Sequence, residues 1–193
     1  MIAPRRALAT IVLALAMATG CANQAPPTAV PIPHREVPRC VAYALCPSYT
    51  LVSVPMRVAD SSLGALFPGA IRAETYDSGG AHRAATTLAP GLGYLVLADS
   101  TAPILRDTIC GLCLHEITVT LHAGYNLLGS LCDTVRVDQL VADGACFDRA
   151  QVFRFECADS MWTPTSVIAP GGGVLLRALE ESCTVTLPRP AKR

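Results

Sequence analysis

Ala89-Pro-Gly-Leu-Gly-Tyr-Leu-Val96 and Ala169-Pro-Gly-Gly-Gly-Val-Leu-Leu176 are two versions of one phrase, 80 residues apart. In each, Pro-Gly sets a tight turn in which glycine is free to take positive φ, and an apolar run follows. Upstream lies a second matched pair. Cys40-Val-Ala-Tyr-Ala-Leu-Cys-Pro-Ser-Tyr-Thr-Leu51 aligns with Glu116-Ile-Thr-Val-Thr-Leu-His-Ala-Gly-Tyr-Asn-Leu127 at an offset of 76. Val41, Tyr43 and Leu45 alternate in step with Ile117, Val119 and Leu121, the period of a half-buried strand. A turn and a second strand follow, Tyr49 to Pro55 and Tyr125 to Leu131. Next come short helix candidates, Ser61 to Phe67 after Asp60 and Gln139 to Ala142 after Asp138, each Asp placed as an N-cap. Strands are predicted at Ala70 to Tyr76 and Phe147 to Phe155. The closing strands are predicted near Ile104 and at Cys183 to Leu187. The expected fold is therefore mainly β. It has two pseudo-repeats of about 75 residues, each of short antiparallel strands with one short helix.

The early Gly-aromatic-Asn-Leu and the late Pro-Gly-x-Gly-aromatic together resemble a repeat module of exported bacterial and archaeal proteins, written G-W-N-L-[IV]-S-x-P … P-G-x-G-Y-W. Gly124-Tyr-Asn-Leu127 and Tyr49-Thr-Leu-Val-Ser-Val-Pro55 carry its first half, and Pro90-Gly-Leu-Gly-Tyr94 its second. Tyr stands at the Trp positions, Thr50 replaces Asn, and Val174 replaces the late aromatic. The resemblance covers most of residues 40 to 187. It implies a surface-exposed, β-rich, non-catalytic module and supplies no catalytic residues.

The N-terminus resembles a bacterial lipoprotein signal. Arg5 and Arg6 form a charged start, and Ala7 to Thr19 form an apolar run of thirteen residues, too short for a membrane span. Ala18, Thr19 and Gly20 are the small residues before Cys21. The resemblance implies cleavage after residue 20, with Cys21 lipidated on sulfur. Its lipid chains would give stable anchoring. Ala22 rather than Asp implies sorting to the outer membrane. The alternative is an ordinary secretory signal cut after Ala18, with Cys21 an unpaired thiol. The organisation expected is a signal peptide over 1–20, a lipidated Pro-rich tether over 21–39, one repeat over 40–109, and a second over 110–193 with a short basic tail. The tether holds Pro26, Pro27, Pro31, Pro33 and Pro38 and has little to bury.

Charge excludes one class of partner. The chain has 15 basic and 15 acidic residues, and Arg5 and Arg6 are the only charged residues before Cys21. From Cys21 on, 13 basic face 15 acidic residues, with no basic stripe, so nucleic-acid binding has no electrostatic support. No second apolar run approaches the length of a membrane helix.

Nine cysteines is an odd number. Setting Cys21 aside leaves Cys40, Cys46, Cys110, Cys113, Cys132, Cys146, Cys157 and Cys183, an even set that suits disulfides in an oxidising compartment. Cys40 and Cys46 flank one predicted strand, roughly 20 Å apart at about 3.3 Å per residue, too far to bond each other. Cys110 and Cys113, read as a connector between the repeats, are their expected partners. Cys132 with Cys146 and Cys157 with Cys183 complete the expected set.

Other chemistry is poorly supported. Cys110-Gly-Leu-Cys113 has C-x-x-C spacing but runs into a strand pattern rather than the helix that lowers a thiol pKa. Cys110, Cys113, His115 and His122 have zinc-ligand chemistry, yet disulfides compete for the cysteines. Asp77-Ser-Gly-Gly80 looks like the loop around a protease serine, but His82 follows it in the wrong chain order, and the segment reads as a turn. No nucleotide loop, dinucleotide fingerprint or zinc-protease motif is present. Trp162 reads as a core or half-buried cross-strand residue rather than a sugar platform.

The resulting expectation is a membrane-anchored envelope lipoprotein of structural or binding role, with no catalytic residue, no metal and no cofactor. One alternative is a small envelope thiol-redox or metal-binding protein using Cys110 and Cys113. Another is a binding or inhibitory module for an extracellular or periplasmic protein or glycan. A thiol assay on the denatured, unreduced mature protein is expected to find almost no free thiol, and several would sink the disulfide reading.

Overall fold

The computed structural model describes residues 38–76, 80–99 and 105–188. Cys21, the signal and most of the tether lie outside the described residues, as do Ile104, Asp77, Ser78 and Gly79 and the last residues of the basic tail. The described residues cluster as one compact unit.

The described chain is mainly β. Its first half runs β1 (Arg39–Leu45), β2 (Tyr49–Val52), β3 (Met56–Arg57), α1 (Leu63–Leu66), β4 (Ala70–Tyr76), β5 (His82–Ala85), β6 (Tyr94–Ala98) and β7 (Leu105–Cys113). The second runs β8 (Ile117–Leu121), β9 (Gly124–Leu128), β10 (Val135–Arg136), β11 (Val141–Ala142), β12 (Phe147–Glu156), β13 (Met161–Pro164), β14 (Val167–Ile168), β15 (Val174–Ala178) and β16 (Cys183–Leu187). Two four-stranded antiparallel sheets share one strand order, β2-β6-β4-β5 and β9-β15-β12-β13. Two three-stranded sheets also correspond, with first and last strands paired in each: β1-β7-β3 and β8-β16-β11.

Period-two alternation builds the cores. Val41, Tyr43 and Leu45 point inward from β1, and Ile117, Val119 and Leu121 from β8, while their neighbours in sequence stay exposed. Each half has its own core. A third, central cluster of Leu51, Leu95, Leu127 and Leu175 takes one side chain from each of β2, β6, β9 and β15. Each four-stranded sheet therefore buries both faces, one on its own core and the other on the centre. This is why β6 and β15 read as continuous apolar runs.

The halves are joined by exchanged backbone bonds. Ser53 N–H donates to Gly171 O at 2.8 Å, and Gly129 N–H donates to Gly91 O at 2.8 Å. Each Pro-Gly turn thus docks on the other half. Gly91 and Gly171 have φ of 87° and 72°. A Cβ on Gly91 would meet Ile117 at 2.6 Å, and one on Gly171 would meet Val41 at 2.6 Å. Conformation and close approach both demand glycine at these two positions.

Side-chain hydrogen bonds lock the turns. Ala89 N–H donates to the Tyr94 hydroxyl at 2.7 Å, so the aromatic of the late motif closes its own turn. His122 N–H donates to Asn126 Oδ1 at 3.0 Å, and Cys46 N–H donates to Thr50 Oγ1 at 2.9 Å. Thr50 therefore does the work of Asn in its half.

The helix expectations are corrected. The first helix spans only Leu63–Leu66 and its N-cap is Ser62. Asp60 accepts from Ser62 N–H at 2.8 Å, which lowers its pKa, and so closes a local turn before the cap. No helix forms over Gln139 to Ala142. A 3-10 turn covers Val137–Gln139, where Asp138 pairs with Arg136, and Val141–Ala142 extends a sheet beside β16. The second strands also stop earlier than expected, at Val52 and Leu128, where the chain turns to meet the opposite half.

Ser53 is fully buried where the halves cross. Its Oγ lies 2.6 Å from Gly172 O, 2.9 Å from Ser130 N and 2.9 Å from Ser130 Oγ. One hydroxyl has one proton, so Ser53 donates to Gly172 O and accepts from both groups of Ser130. Ser53→Ala leaves those partners dry, at about 1–3 kcal/mol for an unsatisfied buried group. Urea unfolding is expected to show a loss of about 2–4 kcal/mol for Ser53→Ala. Thr118→Ala, which breaks the exposed Thr118–Thr186 bond, should cost below about 1 kcal/mol.

Candidate functional site

All eight described cysteines are bonded: Cys40–Cys110, Cys46–Cys157, Cys113–Cys132 and Cys146–Cys183. The first matches expectation, and Cys40 and Cys46 indeed bond elsewhere than to each other. The other expected pairings are corrected, and the strand geometry gives the reasons. Cys110 and Cys113 are not in a connector but on β7, which runs antiparallel to β1 with Cys40 opposite Cys110. Cys113 then lies past the N-terminal end of β1, and Cys46 just past the C-terminal end, so the two cannot meet. Cys146 and Cys157 flank the ten-residue β12, roughly 30 Å apart by strand rise. Cys183 reaches only the Cys146 end. Cys132 follows β9 in sequence but packs into the core of the first half, where Cys113 waits.

Two of the bridges, Cys46–Cys157 and Cys113–Cys132, tie one half to the other. The other two close a half on itself. Because Cys110 and Cys113 each bond a different partner, they form neither a dithiol nor a zinc pair with His115 and His122. No group of three or more His, Cys, Asp or Glu able to hold a metal occurs among the described residues. Trp162 is half-buried on β13, edge-on to Phe155 at 5.1 Å, and packs against the central leucines.

A concavity of about 420 Å³ lies between the halves. Thr75, Tyr76 and Arg83 come to it from β4 and β5, and Thr120, His122 and Asn126 from β8, the turn after it and β9. Leu92, Val119 and Leu127 give it an apolar floor. Several of its polar groups are already committed. Asn126 Nδ2 donates to His122 O and Gly124 O at 2.7 and 3.0 Å and holds the turn that presents His122. Thr75 Oγ1 donates to Gly93 O at 3.0 Å. His122 Nδ1 stands 3.8 Å from Glu181. Tyr76 stacks edge-on with His82 at 4.8 Å, and burial raises its hydroxyl pKa, so it stays a neutral donor. Arg83 is the exception. It lines the cavity, yet no carboxylate or carbonyl among the described residues takes its guanidinium.

This cavity was not found from the sequence. Its residues come from five segments, and only the sheet order brings β5 beside the turn after β8. His122, a metal-ligand candidate by sequence, has the single carboxylate of Glu181 near it, too few ligands among the described residues to hold a metal. No protein-family model, curated protein or solved structure matches the chain.

Burial ranks the disulfides for attack by solvent reductant. Cys40 and Cys110 are both exposed, Cys46 and Cys157 are half-buried, and Cys146 and Cys183 are both 2% exposed. Limited reduction followed by alkylation and mass mapping is expected to label Cys40 and Cys110 first and Cys146 and Cys183 last. Early labelling of Cys146 would overturn this order.

Proposed function

We propose that this chain is a cell-envelope lipoprotein, exported and anchored at the outer membrane by a lipidated Cys21. Its body over 40–193 is a rigid binding module without catalytic residues, carried on the Pro-rich tether. The observation that supports this best is the cysteine balance. Eight of the nine cysteines are consumed in four disulfides, and the one left over is Cys21, at the end of the apolar run. Four disulfides in one small body suit an oxidising, exported location.

The two halves are read as divergent copies of one exported module. Their sheets share a strand order, and their Pro-Gly turns and Cys46–Thr50 and His122–Asn126 contacts occupy corresponding places. A binding role on an extracellular or periplasmic protein or glycan is favoured over a purely structural one. The reason is the concavity between the halves, whose Arg83 has no ion-pair partner among the described residues. The expected partners are thus the membrane, through the lipid, and a ligand at this cavity.

Expression of the full chain in a bacterial host with an alkyne-labelled fatty acid tests the anchor. The native chain is expected to take up label and fractionate with membranes. Cys21→Ala is expected to lose the label and appear in the soluble envelope fraction with the same four disulfides. An unlabelled native chain, or a Cys21→Ala chain that still sediments with membranes, rules the anchor out.

A further inference from the structure

The correspondence between the halves makes the cavity more than a gap. By strand register, Tyr76 opposite His82 corresponds to Phe155 opposite Trp162, and Thr75 opposite Arg83 to Arg154 opposite Thr163. The turn residue His122 corresponds to Cys46, since each donates its N–H to the side chain four residues on. The same corner of the fold therefore occurs twice. In one place it is closed: Cys46 bonds Cys157, and Phe155 and Trp162 pack against the central leucines. In the other it is open: His122 stands where Cys46 would be, and a cavity of about 420 Å³ lies beside it.

The charges differ in the same sense. Arg154 is neutralised in place by Glu156, and its Nε also reaches Thr163 Oγ1 at 3.3 Å. Arg83 has no such partner among the described residues. Glu74, the described carboxylate on its sheet, is already bonded by Arg72 at 3.2 Å and His82 at 3.0 Å. On the facing half, Glu181 stands by His122. Among the described residues, the open corner thus presents a planar guanidinium without an ion-pair partner, the Tyr76 and Thr120 hydroxyls without hydrogen-bond partners, and a leucine-valine floor. A guanidinium offers paired N–H donors that match a carboxylate in two parallel bonds. The volume sits at the small end of the roughly 300–1,000 Å³ range of small-molecule sites.

We infer that this open corner is a binding site for a small organic carboxylate with a compact apolar body. The carboxylate sits on Arg83, with the Tyr76 and Thr120 hydroxyls around it, and the body lies on Leu92, Val119 and Leu127. This deepens the binding role proposed above and is independent of the lipid anchor.

Isothermal titration of the full chain with sodium benzoate, sodium cyclohexanecarboxylate and neutral benzamide tests it. One saturable site for the two acids is expected, with benzamide at least tenfold weaker. Arg83→Gln should weaken benzoate at least tenfold, whereas Arg154→Gln should leave it within twofold. Arg83 is exposed on an edge strand, so its loss should leave the melting temperature unchanged. Thr120→Trp, at an exposed position, fills the cavity and should abolish binding. Absence of saturable binding by both acids overturns the inference, as does equal binding of benzamide or indifference to Arg83→Gln. The anchor stands or falls separately, on Cys21.

Discussion

The fold depends on an exchange at its centre. Ser53 N–H bonds the Pro-Gly turn of the second half, and Gly129 N–H bonds that of the first. Neither turn has room for a side chain at its glycine, because the first strand of the other half lies against it. Each half therefore completes the other's turn. Around this crossing the interior is dry, so every polar group needs a partner. The single Ser53 hydroxyl serves three of them, and no buried side-chain nitrogen or oxygen among the described residues is left without a bond. The four central leucines then take their places on the sheet faces that the crossing brings together.

This dependence explains why two small β units form one compact unit. A short four-stranded sheet with a single core is marginal in water. Here the outer face of each sheet is covered by the other half rather than by solvent. Two disulfides cross the same junction, Cys46–Cys157 on one side and Cys113–Cys132 on the other. Cys113–Cys132 is seated in the first core, and Cys132 belongs to that core although it follows β9 in sequence. The chain between β9 and β10 thus contributes to both halves.

The strands were legible because they obey simple periods. Alternation in Val41 to Leu45 and Ile117 to Leu121 predicted β1 and β8, and Pro-Gly predicted the two turns with positive φ. The short helices were less so. Asp60 and Asp138 look like caps, but Asp60 is used in a local turn and Asp138 by Arg136, and burial of Leu140 pulls the following residues into β11. The disulfides were half legible. Strand length alone separates Cys40 from Cys46. The same rule applied to β12 separates Cys146 from Cys157, but it needs the full extent of β12, which the sequence does not mark. The cavity was not legible, because Arg83 and His122 lie far apart in sequence and neither belongs to a motif.

The two corners of the fold show what the chain does with a repeated position. Each corner has an aromatic pair on two paired strands, an Arg–Thr cross-strand pair, and a turn held by the fourth residue after its first. In one corner the turn residue is a cysteine, the arginine is paired with Glu156, and an indole fills the space. These are changes that remove ligand-binding capacity: they spend a charge internally, close a gap covalently and exclude water. In the other corner, histidine replaces the cysteine, and the arginine moves to the edge strand β5, where no described carboxylate pairs with it. Rigidity imposed at one corner holds the open corner in shape, because both lie on the same two sheets. A site on paired strands, braced by a covalent staple across the same junction, loses little conformational freedom when a ligand enters.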